Sequence, residues 1–150
     1  MALSKSIIHQ TVARLLESHI ENLNNMLSSV TDGAEGEGKS SAGDKHETSA
    51  AMLHLEQEKL SKQLQDYLAM RAPLSRLNGE EVHEVIQVGS WVETDRSKFY
   101  IAVPLGSFEV EGIKLFAVSP SAPLIQKLLG KKAGDVINFN GVATRIVEVN

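Results

Sequence analysis

Two carboxylates, Asp44 and Glu47, lie three positions apart where a glycine-rich segment meets the start of a long helical pattern. An Asp is a good helix N-cap, and an acid three residues later occupies the capping-box position, although that box prefers Ser or Thr at the cap. Both acids also complement the positive end of a helix dipole. On residue chemistry alone, the pair therefore starts a helix and faces water.

Other side chains that could do chemistry have plainer interpretations. Gly38-Lys39-Ser40 resembles a phosphate-binding Gly-Lys-Ser, but the preceding strand and the earlier glycine at the required spacing are missing. His19 falls within an apolar helical row without a partner His or carboxylate, which favours helix packing over metal binding. Ser119 precedes a predicted helix and fits turn and cap chemistry. With no Ser/His/Asp grouping evident, the sequence argues against an enzyme of acyl or phosphoryl transfer.

The composition excludes several classes of protein. The chain has 150 residues, a net charge of −4 and no cysteine. An acidic chain argues against a dedicated nucleic-acid-binding surface, which normally needs a basic excess. Without cysteine there are no disulfide frameworks, thiolate zinc sites or cysteine nucleophiles. No run of about 18 apolar residues is available to span a bilayer, and the N-terminus lacks the apolar core of a signal peptide. We therefore expect a soluble, cytoplasmic protein with no membrane partner.

A first amphipathic helix is predicted from Ser4 to Ser29, a stretch without Gly or Pro. Its apolar residues recur at spacings of three and four, which is typical of a helix that buries one face. The segment Thr31–Gly43 that follows has four glycines and no large apolar residue. Because it cannot bury surface to offset its ordering entropy, the sequence predicts a flexible loop over residues 31–43.

A second amphipathic helix is predicted from Asp44 to about Ala72, where Pro73 ends it. Two helices of this length joined by a loop most simply pack as an antiparallel coiled-coil hairpin. Neither apolar stripe is wide enough to be a domain core. Residues 1–75 are therefore expected to form an arm about 40 Å long, with Asp44 and Glu47 at its tip.

The hydrophobic period changes from 3.6 to 2 in the C-terminal half, which predicts strands. One helix is expected over Ser121–Leu129, ended by Gly130, and Asn140-Gly141 is a strong hairpin signal. Five or six antiparallel strands with one helix across a face give a compact α+β domain in residues 80–150. The predicted strands are Val82–Val92 (broken at Gly89), Phe99–Val103, Phe108–Val110, Ile113–Val118, Val136–Phe139 and Val142–Val149.

Three motifs in this half carry a family resemblance: Ser119-Pro120 opening a short helix, Leu129-Gly130-Lys131 after it, and Gly134-Asp135-Val136 leading into the last hairpin. Residues 82–150 thereby resemble the C-terminal domain of the bacterial transcript-cleavage elongation factors GreA and GreB. The resemblance implies an FKBP-like fold without prolyl isomerase activity. It also suggests that Ser119, Pro120, Gly130 and Lys131 bind RNA polymerase. The nucleoside diphosphate kinase regulator type, a relative built on the same domain, shares these motifs.

The N-terminal half decides between these relatives. Gre factors carry an antiparallel coiled coil whose tip reads Gly-Asp-x-x-Glu-Asn-Ala-Glu-Tyr. The Asp and Glu of that tip fall on Asp44 and Glu47 with the spacing intact. The Asn-Ala-Glu-Tyr is replaced by Thr48–Ala51, and the glycine-rich segment stands where the family has a tighter turn.

The resemblance implies an accessory factor rather than an enzyme. In Gre factors the arm enters the secondary channel of RNA polymerase, where the tip carboxylates help to hold the second Mg²⁺ of the polymerase active centre. Carried over, this makes Asp44 and Glu47 catalytic, metal-holding groups only in the polymerase complex, and the chain needs no cofactor of its own. We expect RNA polymerase as the partner, indirect contact with nascent RNA, and a monomeric chain.

Two further hypotheses remain beside this one. The altered Thr48–Ala51 segment fits a regulator that binds the same channel without stimulating cleavage. A plain interaction module, with the coiled coil used only for dimerisation, is the other.

Overall fold

The structure is a computed structural model that describes the backbone of residues 3–38 and 44–150 and the side chains of residues 3–32 and 49–150. The described helices are α1 (Lys5–Gly38), α2 (Asp44–Leu68), α3 (Arg71–Ser75) and α4 (Pro123–Leu128). The described strands are β1 (Trp91–Thr94), β2 (Lys98–Ile101), β3 (Gly106–Val110), β4 (Ile113–Val118), β5 (Val136–Phe139) and β6 (Val142–Val149). The fold is therefore α+β, as the sequence predicts.

The chain divides into two compact units. The sheet unit comprises Met1–Leu15 and Ala72–Asn150, and the helical unit comprises Leu16–Arg71. The first turns of α1 thus belong to the sheet unit, whereas the sequence assigned them to the arm. None of the described helices is apolar over a length that would cross a membrane.

Helix α1 is longer than the sequence predicts. Ser4 caps its start, since the Ser4 hydroxyl accepts a hydrogen bond from the Ile7 N–H at 3.4 Å. Helical backbone then continues to Gly38, so the loop predicted for residues 31–43 is wrong for residues 31–38. Extending an existing helix is much easier than starting one, which outweighs the cost of about 1 kcal/mol for each glycine relative to alanine. Residues 39–43 lie outside the described residues.

Helix α2 ends earlier than predicted, at Leu68. The proline expected to stop it, Pro73, lies inside the short helix α3 instead. Pro73 is the third residue of α3, where a backbone N–H would have no partner within the helix. Proline therefore fits the first turn of a new helix here rather than the end of α2.

Helices α1 and α2 contact each other in antiparallel order within the helical unit. Arg71, just beyond α2, binds Glu17 of α1. Further along α1, the His19 ring stacks on Tyr67, and Thr31 accepts a hydrogen bond from Gln57 at 3.1 Å. Residue numbers rise along α1 as they fall along α2. Among the side chains of this unit that the structure describes, the buried ones are aliphatic: Leu16, Ile20, Leu23 and Leu60.

One sheet contains all six strands in the order β3-β4-β2-β1-β6-β5. Neighbouring strands are antiparallel except β2 and β4, which are parallel. The prediction of an antiparallel sheet is therefore wrong for this pair. Its cause is the β3–β4 hairpin, which turns at Glu111 and Gly112, both at positive φ. Because β3 takes the edge of the sheet, the chain reverses once more before β4 reaches β2.

The predicted strand over Val82–Val88 is also wrong. This segment makes a single isolated bridge, between Val85 and Lys132. The Ile86 N–H donates to the Lys131 carbonyl at 2.8 Å, and the Ile86 carbonyl accepts from the Gly130 N–H at 2.9 Å. Its backbone groups are therefore satisfied by the turn after α4 rather than by a strand ladder.

The β5–β6 hairpin matches the sequence prediction in both strands and in its turn. Asn140 and Gly141 have φ values of 52° and 78°, the left-handed conformation that a two-residue turn of this type needs.

One face of the sheet packs on α4. This core consists of Ile86, Val92, Phe99, Ile101, Ile125, Leu128, Ile137 and Ile146.

Adjacent residues of β6 allow a test of this core. Ile146 is fully buried, whereas Val147 is 51% exposed. We expect Ile146→Ala to lower the free energy of unfolding by about 2–5 kcal/mol, because it opens a cavity in the core. Val147→Ala, the matched control, should change it by no more than about 0.5 kcal/mol. Urea denaturation followed by circular dichroism measures both, and equal losses would contradict the assignment of the core face.

Candidate functional site

The two tip carboxylates lie at the start of the second helix. Asp44 is the first residue of α2, and Glu47 follows one helical turn later. Their side chains lie outside the described part of the chain, so the predicted capping and metal-holding roles stay predictions. Among the side chains that are described, no three His, Asp or Glu residues come close enough together to hold a metal ion.

The antiparallel order of the helical unit determines which end carries these positions. Glu17 and Arg71 pair at one end of the unit. Asp44 opens α2, and Tyr67 lies close to its other end. At 1.5 Å per residue, Asp44 and Tyr67 are about 35 Å apart along the helix axis. The two acidic positions are therefore at the end of the helical unit remote from the Glu17–Arg71 pair, which we call the tip.

Ser119 and Pro120, the first two predicted polymerase-binding residues, precede α4. The Ser119 hydroxyl accepts a hydrogen bond from the Ser121 N–H at 3.1 Å, which makes it a turn residue. It does not cap α4, because the N-cap is Ala122 and no side chain bonds the first turn. The sequence thus predicted the turn role of Ser119 correctly and its cap role wrongly. Pro123 at the start of α4 supplies a preformed helical φ instead.

Gly130 and Lys131, the other two predicted polymerase-binding residues, follow α4. Gly130 has a φ of +83°, a conformation that glycine adopts at little cost. Its N–H and the Lys131 carbonyl both bond to Ile86. A helix of six residues is about 9 Å long, so α4 separates these two residues from Ser119 and Pro120. The four residues therefore lie at both ends of α4 rather than in one cluster.

The sheet unit contains a buried polar cluster that the sequence did not reveal. His83 and Ser90 are 7% and 0% exposed, and His83 Nδ1 lies 2.8 Å from the Ser90 hydroxyl oxygen. On the other side of the ring, a Glu81 carboxylate oxygen lies 3.9 Å from His83 Nε2. The order Ser, His, Glu is that of a catalytic triad. This grouping is not evident in the sequence, because the contacts depend on how the chain folds between residues 79 and 91.

The geometry argues against a nucleophilic role for this serine. Ser90 is fully buried, so no substrate carbonyl can reach its oxygen. That oxygen also accepts a hydrogen bond from the Gln87 N–H at 3.0 Å. The hydroxyl proton is then free to point at His83 Nδ1, which fits a neutral imidazole with its proton on Nε2. We interpret the Ser90–His83 contact as structural.

Lys5 joins this cluster from the first residue of α1. Its ammonium donates a hydrogen bond to the Glu81 carbonyl. Burial lowers the pKa of Lys5, and the Glu81 carboxylate opposes that shift. The pKa of His83 is lowered first by burial and then by the charge of Lys5, again against Glu81. Burial of the cluster therefore favours the neutral form of His83.

A second contact joins α1 to the sheet at His9, which is half-buried. Its Nδ1 lies 2.7 Å from the Tyr100 hydroxyl oxygen, and Tyr100 is fully buried in β2. Burial raises the pKa of Tyr100 to about 12 and lowers that of His9. Gly79 packs close by: a Cβ there would lie 2.8 Å from the His9 Cβ. This position therefore requires glycine both for its positive φ and for space.

Comparisons with known proteins provide little further constraint. No family model matches the sequence, and no curated protein matches it. One similar solved structure is described as "Structure of the transcription factor Gfh1"; it is 20% identical, covers 89% of this chain and 90% of its own, and has a TM-score of 0.36. A TM-score this low does not establish a shared fold. The candidate site therefore rests on the residues of this chain.

The lowered pKa values of His9 and His83 predict a specific pH dependence of stability. Folding lowers the pKa of His9 and of His83, so the unfolded chain takes up these protons first as the pH falls. The contribution of these two histidines to the free energy of unfolding is fully present above pH 6.5, the ordinary pKa of histidine, and is lost as the pH falls below that value. The slope is at most about 1.4 kcal/mol per pH unit for each histidine.

Urea unfolding between pH 7.5 and pH 5 measures this dependence. We expect the slope in His9→Gln/His83→Gln to be clearly smaller than in the wild type, whatever the absolute stability of the variant. His54→Gln, which replaces an exposed histidine of α2, is the control and should keep the wild-type slope. Parallel curves for the wild type and the double variant would show that these histidines are not the groups responsible.

Proposed function

We propose that this chain is a Gre-like transcription elongation factor. It binds RNA polymerase, inserts the tip of its paired helices into the secondary channel, and stimulates cleavage of backtracked transcripts. In this proposal it is not an enzyme itself, because the bond is broken in the active centre of the polymerase.

The observation that carries the proposal is the position of Asp44 and Glu47. They keep the spacing of the Gre tip motif, and they start the second of two long helices that pair in antiparallel order. A coiled-coil hairpin is the arrangement that such a pair suggests. An elongated pair of helices with acidic residues at its end is suited to reach into a narrow channel.

The donor chemistry of these two residues fits Mg²⁺. Carboxylate oxygens are hard ligands, and Mg²⁺ in proteins often takes only one or two of them and keeps several waters. When bound in a two-metal site, the ion can activate water and stabilise the in-line displacement at an RNA phosphodiester. Two carboxylates leave most of an octahedral shell open, so the chain alone would hold the ion weakly. Asp44 and Glu47 would therefore complete a site whose other ligands come from the polymerase.

The sheet unit would supply affinity for the polymerase. The motif residues Ser119, Pro120, Gly130 and Lys131 are the candidates, and they lie at the two ends of α4. Lys131 is exposed, so its charge is available to an acidic partner surface. Nascent RNA would be contacted only at the tip, which agrees with the net charge of −4. We expect the factor to act as a monomer in the cytoplasm.

A second candidate function is a channel-binding regulator without cleavage activity. It is favoured by Thr48–Ala51, which stands where the Gre tip has Asn-Ala-Glu-Tyr. Such a protein would compete with an active cleavage factor for the polymerase without adding cleavage of its own. Competition without cleavage would support this function, and failure to bind polymerase would eliminate both.

Transcript cleavage in stalled bacterial elongation complexes tests the proposal. We expect the wild-type chain to raise the rate of cleavage at the RNA 3′ end. Asp44→Asn/Glu47→Gln should abolish most of that stimulation, because amides keep the shape of the side chains but lose the charge that holds Mg²⁺. Polymerase binding should remain.

Matched controls separate a tip effect from a general loss of charge. Glu58→Gln and Asp66→Asn make the same chemical change at exposed positions of α2, far from its first turn, and should retain stimulation. If Asp44→Asn/Glu47→Gln and Glu58→Gln/Asp66→Asn lose the same amount of cleavage stimulation, the tip has no special role. No added cleavage with the wild type would refute the proposal.

A further inference from the structure

We propose that Glu17, His19, Tyr67 and Arg71 form a root clamp that fixes the register of α1 against α2 and thereby positions the tip. This inference rests on the proposed function, because it concerns how that function is achieved. The four side chains would be positioning residues, since they lie at the opposite end of the helical unit from Asp44 and Glu47.

The contacts of the root clamp are geometrically demanding. Arg71 Nε donates to one Glu17 carboxylate oxygen at 2.8 Å, and Arg71 Nη2 donates to the other at 2.7 Å. Such a bidentate pair tolerates little displacement of either partner. Next to it, the His19 and Tyr67 rings are parallel within 1°, with their centroids 4.9 Å apart. Two different contacts thus hold α1 beside the end of α2, one to Tyr67 within α2 and one to Arg71, the first residue of α3.

The apolar contacts between the helices cannot fix the register by themselves. In α1, the inward row runs Leu16, Ile20, Leu23, and a shift by one turn replaces one aliphatic side chain by another. The row of α2 repeats leucine in the same way, at Leu60 and Leu64. Packing energy is therefore similar before and after such a shift. Unique polar contacts specify the register of paired helices for this reason.

A change of register would be costly at the tip. One helical turn is about 5.4 Å, whereas the ligands of a catalytic site must be held to about 0.5 Å. The single polar contact between the helices nearer the tip that is described is Gln57 with Thr31, a lone hydrogen bond of 3.1 Å. The root clamp therefore carries most of the register information in the described part of this unit.

The position of the clamp follows from how the chain enters and leaves the helical unit. The chain enters this unit at Leu16 and leaves it after Arg71. Glu17 and Arg71 thus tie the entering helix to the departing chain directly beside both points. Their side chains are 55% and 49% exposed, so the ion pair adds little to the free energy of folding. Its effect is to select one register among alternatives of similar energy.

Distance measurements between spin labels test the register without any polymerase. The chain has no cysteine, so cysteines introduced at the exposed Ser29 and Glu58 can be labelled selectively. Pulsed electron paramagnetic resonance should give one narrow distance distribution for the otherwise wild-type chain. Arg71→Ala should broaden it or add a second distance, because registers one turn apart become populated.

Two variants and a control make this measurement specific. The exchange Glu17→Arg/Arg71→Glu should restore the narrow distribution. Arg71→Lys should give a distribution of intermediate width, between those of the wild type and Arg71→Ala, because lysine lacks the bidentate fork. Lys62→Ala, which removes an exposed cation from α2, should leave it unchanged. A distribution for Arg71→Ala that superimposes on the wild type would overturn the clamp.

The same variants should separate affinity from positioning in the cleavage assay. With Arg71→Ala, we expect the maximal stimulated rate to fall at least about tenfold, since small misplacements of reacting groups have effects of this size. The factor concentration that gives half of the maximum should stay within about twofold. The charge exchange should recover the rate. A loss confined to affinity would contradict the clamp.

The two proposals can fail separately. If the wild-type chain stimulates no cleavage, the proposed function is refuted, and the spin-label distances alone decide the clamp. If the wild type stimulates cleavage but Arg71→Ala keeps both its rate and its narrow distance distribution, the clamp is refuted and the proposed function stands.

Discussion

Helix α1 contributes buried apolar side chains to both units, and neither unit would keep its core without them. Helix α1 runs without interruption from Lys5 to Gly38. Its first turns bury Ile8 and Val12 within the sheet unit, and the following turns bury Leu16 and Ile20 within the helical unit. The narrow apolar stripe of α1 is thus sufficient for both, because each unit uses only part of it. The first turns of α1 are therefore as much a part of the sheet unit as its strands are.

Polar side chains of α1 give these apolar contacts their specificity. In the sheet unit, Lys5 and His9 meet single partners, the Glu81 carbonyl and the Tyr100 hydroxyl. In the helical unit, Glu17 and His19 do the same with Arg71 and Tyr67. Aliphatic side chains supply most of the free energy of burial but accept many neighbours. A hydrogen bond or a ring stack requires particular atoms at particular distances, so the polar contacts select one arrangement.

Local signals in the sequence predicted local structure well. The bounds of β5 and β6 and the Asn140-Gly141 turn are as expected, because a two-residue hairpin is specified by neighbouring residues. The sequence did not predict the extension of α1 to Gly38. The composition of a segment indicates what it costs to order that segment alone, whereas adding residues to an existing helix costs less. The parallel pairing of β2 with β4 was missed because it depends on β3 occupying the edge of the sheet.

Among the polar residues described above, local sequence patterns predict some positions but not the contacts between residues far apart in the chain. The positions of Asp44 and Glu47 at the start of α2 follow from a local pattern, and the sequence identified them. The contact of His83 with Ser90, and of His9 with Tyr100 across 91 positions, could not be predicted, since no periodicity specifies which distant polar groups meet. The pairing of Glu17 with Arg71 across 54 positions is of the same kind.

We propose that Asp44 and Glu47 contribute ligands to an ion in the polymerase active centre. The Mg²⁺ dependence of transcript cleavage in stalled elongation complexes, measured with and without the protein, tests this role directly. We expect the wild-type chain to lower the Mg²⁺ concentration needed for half-maximal cleavage, and Asp44→Asn/Glu47→Gln to leave that concentration unchanged. If the wild-type chain also leaves it unchanged, these two residues do not supply ligands to the ion.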